Sequence, residues 1–246
     1  DIPLEFFNKQ ILDWFTLSPV PDVFFSRQNI QIIQNGIRAG VYNKSKGQYT
    51  IGPQDCDSLK IVMRVYIQKP RTVKGWTGPI NQPDPLAEPD IEAGIWYCRK
   101  LMTQVVEMGL PIADECLFTH NARGFQELLS WVAIGARSTE DQEHRIFASS
   151  LDCPVGMKNP THGSLKIAVN SILAAQHPHY IVFDGYEVKT AGNQYAHLVL
   201  RGSEGKTNYA MEDLADVAKL FVKNKVVNPA IIVDVSHDNC VVNGVK

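Results

Sequence analysis

Cationic side chains are concentrated where an apolar strand gives way to a loop, in the stretch Met63–Trp76, MRVYIQKPRTVKGW. The four cations of this stretch are Arg64, Lys69, Arg71 and Lys74. Pro70 and Gly75 interrupt regular structure, so the charges are predicted at the carboxyl end of a strand and just beyond it. Charges so close together repel one another, and a phosphate or carboxylate among them relieves that repulsion. A solvated basic loop is the alternative.

Charged side chains also recur at the ends of the other predicted strands. The strand ends, in chain order, are Arg64, Glu115, Arg137, Lys158, Arg201 and His237. Buried cations are costly unless an anion joins them, and acidic partners do not recur beside these cations in the sequence. Any one of them could form a structural salt bridge, but the set favours a shared anionic ligand. Gly135-Ala136 and Gly202 would let backbone N–H groups approach a phosphate.

The histidines are a weaker signal of chemistry. His177 and His179 are two residues apart at the start of a predicted strand, and either could be a ligand. His237, in VDVSHDN at a strand's carboxyl end, is the better candidate for a metal ligand or a proton donor. Cys56 is the nearest second ligand by residue type, but it lies in a polar stretch that has no predicted place in the fold.

Apolar periodicity predicts the elements that position these side chains. An amphipathic helix is predicted over Ile91–Met108. Strands and helices then alternate, with strands at Pro111–Leu117, Trp131–Arg137 and Cys153–Lys158, and helices at Asn121–Ser130, Thr139–Ser150 and Ser164–Gln176. The series continues with an inserted hairpin (His179–Asp184 and Tyr186–Thr190), strand Ala196–Arg201, helix Met211–Lys225 and strand Ala230–His237. This α/β alternation is typical of a parallel sheet, open or closed. Barrels of this class build their active sites at the carboxyl ends of the strands.

The first part of the chain has a different pattern. Residues 1–48 mix aromatic and aliphatic side chains and are predicted to form an arm with a helix at Arg27–Gly40, whereas residues 49–246 are predicted to be a barrel domain. Gln48–Pro53 is a predicted strand, and only Gln54–Lys60 separates it from the strand Ile61–Ile67. A parallel crossover needs a dozen or more residues, so a segment is expected to be missing there.

Composition excludes several classes of protein. The 246 residues are 44% hydrophobic and 20% charged with a net charge of −2, which is typical of a globular protein of one barrel-sized domain or two small ones. The near-neutral charge argues against a nucleic-acid partner. No apolar run reaches the ~20 residues that cross a bilayer, and no signal peptide is predicted. The five cysteines, an odd number without metal-finger spacing, indicate reduced thiols in the cytoplasm.

Several motifs carry a resemblance to a known family. IVMRVYIQKPRT, VAIGARSTEDQEHR, SSLDCPVGMKNPTHGSL, LVLRG and IIVDVSHDN, in that order, resemble the type I 3-deoxy-D-arabino-heptulosonate 7-phosphate (DAHP) synthases. The resemblance runs in register from about Ile51 to His237. It implies a (β/α)8 TIM barrel that condenses phosphoenolpyruvate with erythrose 4-phosphate, the first step of the shikimate pathway. It also implies a divalent metal, which could be Mn, Fe, Co or Zn.

The resemblance also implies a role for each matching residue. Arg64 and Lys158 would hold the carboxylate side of phosphoenolpyruvate, and Arg137 with Arg201 its phosphate. Lys69 would lie between the two substrates. Arg71 and Thr72 would bind the phosphate of erythrose 4-phosphate, Ala136 would lend a backbone N–H, Glu115 would stand near the reacting carbons, and His237 would be a metal ligand.

The chain departs from the family pattern at the metal site. The resemblance implies a metal-binding cysteine after Gly52-Pro53, and a glutamate and an aspartate from an eighth strand beyond Lys246, so of four expected ligands this sequence has only His237. Either segments are omitted from an ordinary synthase, which is the favoured interpretation, or the chain is a shortened form. A non-catalytic homologue that keeps the phosphoenolpyruvate pocket is the alternative function. A different sugar-phosphate lyase on the same barrel is a further alternative. It is disfavoured because it would not explain the KPRT motif.

Regulation and assembly are expected to involve the arm. Type I enzymes are commonly regulated by an aromatic amino acid through the N-terminal arm and an oligomer interface. Asp1–Gly40 is therefore expected to carry effector and homo-oligomer contacts.

Overall fold

The computed structural model describes residues 41–43, 48–50, 62–68, 76–183 and 185–241. The predicted arm helix Arg27–Gly40 lies outside these residues, as do four candidate site residues, namely Cys56, Lys69, Arg71 and Thr72. The chain divides into two compact units, residues 1–113 and 114–246.

The first unit contains a hairpin, a parallel strand pair and a helix. Strands β1 (Val41–Asn43) and β2 (Gln48–Thr50) are antiparallel, with Val41 opposite Thr50. Strand β3 (Met63–Arg64) pairs in parallel with β4 (Ile112–Glu115), with Arg64 opposite Ala113. The strand that was predicted to begin at Gln48 does begin there. It pairs with β1 in the antiparallel orientation and does not join a parallel sheet through this pairing.

Helix α1 (Ile91–Glu107) confirms the predicted amphipathic helix. A carboxylate oxygen of Asp90 accepts a hydrogen bond of 2.9 Å from the backbone N–H of Ala93, which caps the first turn. Gly94 lets this turn approach the loop before it, because a Cβ there would lie 1.8 Å from the carbonyl oxygen of Ile80. The buried face includes Cys98 and Met102.

The second unit contains parallel strands that alternate with helices. Its strands β5 (Trp131–Ile134), β6 (Val155–Lys158), β9 (His197–Leu200) and β10 (Ile231–Val233) lie side by side in the order β10-β9-β6-β5. Its helices are α2 (Gln142–Ser150), α3 (Leu165–Gln176) and α4 (Met211–Asn224). Register is fixed by pairs such as Gly156 with His197 and Val233 with Leu200. Buried residues of strands and helices form one core, including Ile134, Met157, Leu198, Ile172 and Phe221.

The predicted helix Asn121–Ser130 is wrong. The chain instead forms two short 3-10 helices, Thr119–Gly124 and Gln126–Leu128. Gly124 disfavours a helix interior, and the extended φ of −161° at Phe125 separates the two pieces. This break lets Phe125 be completely buried.

The predicted inserted hairpin is confirmed. Strands β7 (Tyr180–Phe183) and β8 (Tyr186–Lys189) are antiparallel, with Phe183 opposite Tyr186. Gly185, at a φ of +78°, occupies the left-handed region that a tight turn requires. A mixed α/β fold with parallel strands is thus established, and closure into a full barrel stays a prediction. In the part of the chain that is described, no helix is long and apolar enough to span a bilayer.

Candidate anion-binding site at the strand ends

The candidate residues of the second unit lie at or just after the carboxyl ends of its strands. Glu115 and Lys158 are the last residues of β4 and β6, and Arg201 directly follows β9. Arg137 and His237 lie farther out than predicted: Arg137 is in the turn after β5, and His237 begins a 3-10 helix, His237–Cys240, beyond β10. Adjacent parallel strands bring these ends to one edge of the sheet.

Lys158 is only 6% exposed. A carboxylate that was not among the predicted site residues balances its charge. The Nζ of Lys158 lies 3.5 Å from Oδ2 of Asp234, which follows β10. Burial works against ionisation of Asp234, but hydrogen bonds from His237 and Ser236 and the charge of Lys158 outweigh it and hold the pKa of Asp234 well below its ordinary value. Asp234 is therefore ionised at neutral pH.

The same carboxylate orients His237. Nδ1 of His237 lies 2.9 Å from Oδ2 of Asp234. Because an ionised carboxylate can only accept a hydrogen bond, the ring proton of the neutral imidazole lies on Nδ1 and the lone pair on Nε2. A carboxylate behind an imidazole in this way is the arrangement that prepares a histidine to bind a metal through its other nitrogen.

Arg201 also has a carboxylate partner. Its Nη1 lies 3.3 Å from Oδ2 of Asp238, and Arg201 is 9% exposed. For Lys158 and Arg201 the structure therefore shows the salt bridge that was the alternative for any one cation, with acids that are not beside them in the sequence. Asp234 and Asp238 flank His237 in VDVSHDN, so both acids were visible in the sequence, but only the tertiary fold brings them to β6 and β9.

Arg137 differs from these two cations. It is exposed, and it makes no ion pair with any other described residue. The turn that carries it is fixed at Thr139, whose Oγ1 lies 3.0 Å from the carbonyl oxygen of Gly135 and 2.6 Å from that of Lys158. One buried hydroxyl thus ties the turn after β5 to the end of β6.

Glu115 lies directly over the start of this turn. A Cβ built on Gly135 would be 2.4 Å from Oε1 of Glu115, so any larger residue there would require the carboxylate to move. Glu115 is buried there, and Ala136 is the next residue of the turn. At these strand ends Lys158 and Arg201 each have a carboxylate partner, Asp234 and Asp238.

Arg64 belongs to the first unit. Its guanidinium carbon lies 3.4 Å from the ring centroid of Tyr66, a cation–π contact beside the end of β3. Lys69, Arg71 and Thr72 fall outside the described residues. Convergence of all five predicted cations on one ligand stays a prediction.

The described residues do not complete a metal site. No group of three or more His, Cys, Asp or Glu side chains among them is arranged to hold a metal ion. His237 offers one suitable nitrogen. His177 and His179 instead bond backbone carbonyl oxygens of α3, at 2.7 Å from Leu173 and 2.7 Å from Ala174.

Comparison with family models identifies the pattern. Residues 48–246 match the model described as the DAHP synthetase I family. A second model, minor capsid protein P8 central region, matches residues 14–80, a shorter stretch that lies mostly outside the described residues and carries no argument.

Individual proteins agree with the first match. The chain is 44% identical over 188 residues to the Tyr-sensitive phospho-2-dehydro-3-deoxyheptonate aldolase of Salmonella typhimurium, covering 74% of this chain and 52% of that protein. It is 42% identical over 187 residues to the Trp-sensitive enzyme of Escherichia coli, covering 74% and 53%. The chain thus spans about half the length of these relatives.

A solved structure is also similar. Phospho-2-dehydro-3-deoxyheptonate aldolase from Francisella tularensis superposes with a TM-score of 0.68 at 31% identity, covering 96% of this chain and 69% of that one.

Proposed function

The chain belongs to the DAHP synthetase I family, and we propose that the whole protein condenses phosphoenolpyruvate with erythrose 4-phosphate to give DAHP and inorganic phosphate. The match over residues 48–246 and the 44% identity to a named aldolase carry this proposal. The enol carbon of phosphoenolpyruvate would bond to the aldehyde carbon, water would add to the neighbouring carbon, and the phosphate would leave from it.

Residue roles follow from the family motifs as proposals. Lys158 with Arg64 would bind the carboxylate of phosphoenolpyruvate, Arg137 with Arg201 its phosphate, and Lys69 would lie between the substrates. Arg71 and Thr72 would bind the phosphate of erythrose 4-phosphate, and the Ala136 N–H would donate to an anionic oxygen. Glu115 would act near the reacting carbons.

The geometry of the second unit supports these roles in part. Lys158 and Arg201 are held rigidly on the adjacent strands β6 and β9, and Arg137 is exposed on the turn next to them. Buried, oriented cations stabilise negative charge without reorganisation. Because Lys158 and Arg201 are already paired with carboxylates, the further positive charge that a multiply charged substrate requires would come from Arg64 and the Lys69–Lys74 loop.

We propose that His237 contributes one ligand, Nε2, to a divalent metal (Mn, Fe, Co or Zn). Asp234 prepares it for that role by accepting a hydrogen bond from Nδ1–H. The other described residues do not complete the coordination.

Effector, assembly and compartment are proposals as well. The relatives in Salmonella and Escherichia coli are named as sensitive to tyrosine and tryptophan. We propose that residues 1–48 are an N-terminal arm that carries an aromatic amino acid site and homo-oligomer contacts, and that residues 49–246 are the catalytic domain. Cys98 and Cys116 are buried and form no disulfide, and we propose a cytoplasmic compartment.

The experiment measures inorganic phosphate released from phosphoenolpyruvate, with and without erythrose 4-phosphate and manganese. The proposal expects release only when both substrates are present. The control variant Lys158→Met should abolish release. Phosphoenolpyruvate binding without any release under all four conditions would reject the synthase and favour a non-catalytic homologue.

A further inference from the structure

Three buried asparagines join the strand ends behind the candidate site. Asn159 follows β6, Asn208 precedes α4, and Asn239 lies in the 3-10 helix after β10; they are 0%, 8% and 4% exposed. We propose that these asparagines are positioning residues, which fix Arg201 relative to Lys158 and His237 and so set the affinity for phosphoenolpyruvate. The inference rests on the proposed function and names residues that bind no substrate themselves.

Asn159 connects the end of β6 to the end of β9. Its Oδ1 accepts from the backbone N–H of Arg201 at 2.9 Å and from Nδ2 of Asn208 at 3.0 Å. Its Nδ2 donates to the carbonyl oxygens of Pro160 at 3.0 Å and Gly202 at 3.1 Å. Asn159 therefore bonds the backbone N–H of Arg201 through its side-chain oxygen and the carbonyl oxygen of Gly202 through its side-chain nitrogen.

Asn208 and Asn239 extend the connection to the segment that carries His237. Oδ1 of Asn208 accepts from the N–H of Gly202 at 2.8 Å, and its own backbone N–H donates to Oδ1 of Asn239 at 2.9 Å. Nδ2 of Asn239 donates to the carbonyl oxygens of Leu200 and Asp234, both at 3.0 Å. Every polar atom of the three amide groups is thus bonded.

Backbone packing makes the arrangement tight. Gly202 has a φ of +74°, and a Cβ there would lie 2.7 Å from the backbone of Asp238, Asn239 and Lys206. The N–H of Asp238 also donates to the carbonyl oxygen of Arg201 at 3.1 Å. The Arg201–Asp238 ion pair is therefore set by backbone contacts that the asparagines hold in place.

The chemistry explains why amides occupy these positions. Asn159 and Asn239 each donate to two carbonyl oxygens while accepting an N–H, which neither a carboxylate nor an apolar side chain of similar size can do. A buried carbonyl or N–H left without its partner is costly, so the loops would move if an amide were lost, including Asn208, which accepts the N–H of Gly202. A shift of about 1 Å in a substrate-holding group can cost up to about a hundredfold in rate.

The chain provides a matched control at the opposite ends of the same strands. Asn193 is also a buried amide; its Nδ2 donates to the carbonyl oxygens of Leu151 at 3.0 Å and Cys153 at 2.8 Å, and its Oδ1 accepts from Tyr195 N–H at 3.0 Å. These partners precede β6 and β9. Asn193 is buried like Asn208 and makes three side-chain hydrogen bonds against two, but it lies away from the candidate site.

The experiment compares Asn208→Ala with Asn193→Ala, and the milder Asn208→Ser with Asn193→Ser in case an alanine variant does not fold. The Kd for phosphoenolpyruvate is measured by titration calorimetry and the Tm by thermal unfolding. We expect both sites to lower the Tm, but only the Asn208 variants to raise the Kd, by about tenfold or more. A merely structural role would raise the Kd equally at both sites or at neither, and either result overturns the inference.

Binding and turnover separate this inference from the proposed function. If the wild-type protein binds phosphoenolpyruvate but releases no phosphate, the synthase proposal fails while the Kd comparison still decides the role of Asn208. If the wild-type protein does not bind phosphoenolpyruvate, both are rejected.

Discussion

Asp234 and His237 form a hydrogen bond of 2.9 Å, and the same carboxylate oxygen of Asp234 lies 3.5 Å from Nζ of Lys158. One acid therefore serves two strand ends, neutralising a buried ammonium on β6 and fixing the tautomer of an imidazole beyond β10. The candidate substrate-binding lysine and the candidate metal ligand are coupled through it, so a change at either should be felt at the other.

Replacing Asp234 by alanine should be strongly destabilising. The variant loses the ion pair with buried Lys158 and the hydrogen bond to His237, and we expect a loss of about 3 kcal/mol in the free energy of unfolding. Urea unfolding at pH 7 measures the effect. Asp216→Ala is the control, because its ion pair with Lys219 at 2.8 Å is on the surface and should contribute less than about 1 kcal/mol. Equal losses in the two variants would contradict the buried pair.

Replacing Thr139 by valine should separate the turn after β5 from the end of β6. The change keeps the side-chain shape but removes a hydroxyl that lies 2.6 Å from the carbonyl oxygen of Lys158 in a fully buried position. We expect a loss of about 1–3 kcal/mol in unfolding free energy and a higher KM for phosphoenolpyruvate. Thr139→Ser keeps the hydroxyl and should stay close to wild type in both measurements. A Thr139→Val protein as stable as Thr139→Ser would refute the role of this bond.

Replacing Gly135 by alanine should displace Glu115. The added Cβ would lie 2.4 Å from Oε1 of Glu115, and overpacking of this kind costs about 1–3 kcal/mol. A double-mutant cycle with Glu115→Ala tests the contact, because shortening Glu115 removes the clash and should relieve part of the loss. Losses that simply add would show that the two residues are not in contact.

His197 should make stability depend on pH. Burial lowers the pKa of His197 despite its hydrogen bond to the backbone of Tyr195, and Nε2 accepts from Trp131 Nε1 at 3.0 Å. As pH falls through the ordinary histidine pKa of about 6.5, the unfolded chain gains a proton that the folded chain resists, so the free energy of unfolding decreases. Urea unfolding between about pH 7.5 and pH 5 should show this decrease.

His197→Gln cannot titrate and is the control for that measurement. It should be less stable than wild type at neutral pH but show a smaller decrease as the solution is acidified. Identical pH profiles for the two proteins would assign the dependence to other groups.

Local signals predicted much of the fold. Helix α1 ends within one residue of its predicted end, because its apolar face and the glycine at position 109 mark it clearly, and Ser164, at the predicted start of α3, caps that helix through a bond to the N–H of Ile167. The helix predicted over Asn121–Ser130 failed because burial of Phe125 determines the local backbone there.

The positions of the candidate site residues could be predicted from the sequence, but their ion-pair partners could not. Parallel strands place their last residues at one edge, so Lys158 and Arg201 could be found from strand ends alone. Their partners Asp234 and Asp238 depend on how β10 lies beside β9, which no local pattern encodes. The hydrogen-bond network of Asn159, Asn208 and Asn239 was not predicted for the same reason, because asparagine in a loop ordinarily indicates only a turn.

Replacing Arg71 tests whether the basic loop Lys69–Lys74 binds a substrate. Because Lys158 and Arg201 are paired with carboxylates, a phosphorylated sugar requires further positive charge, and the family motif assigns it to Arg71. Arg71→Ala should raise the KM for erythrose 4-phosphate by about tenfold to a hundredfold, the cost of a charge-assisted hydrogen bond. Lys74→Ala, in the same loop but without an assigned ligand, should change it by less than about twofold. Steady-state kinetics with each substrate varied in turn make the comparison, and equal small effects from the two variants would mean that the loop is only a solvated basic surface.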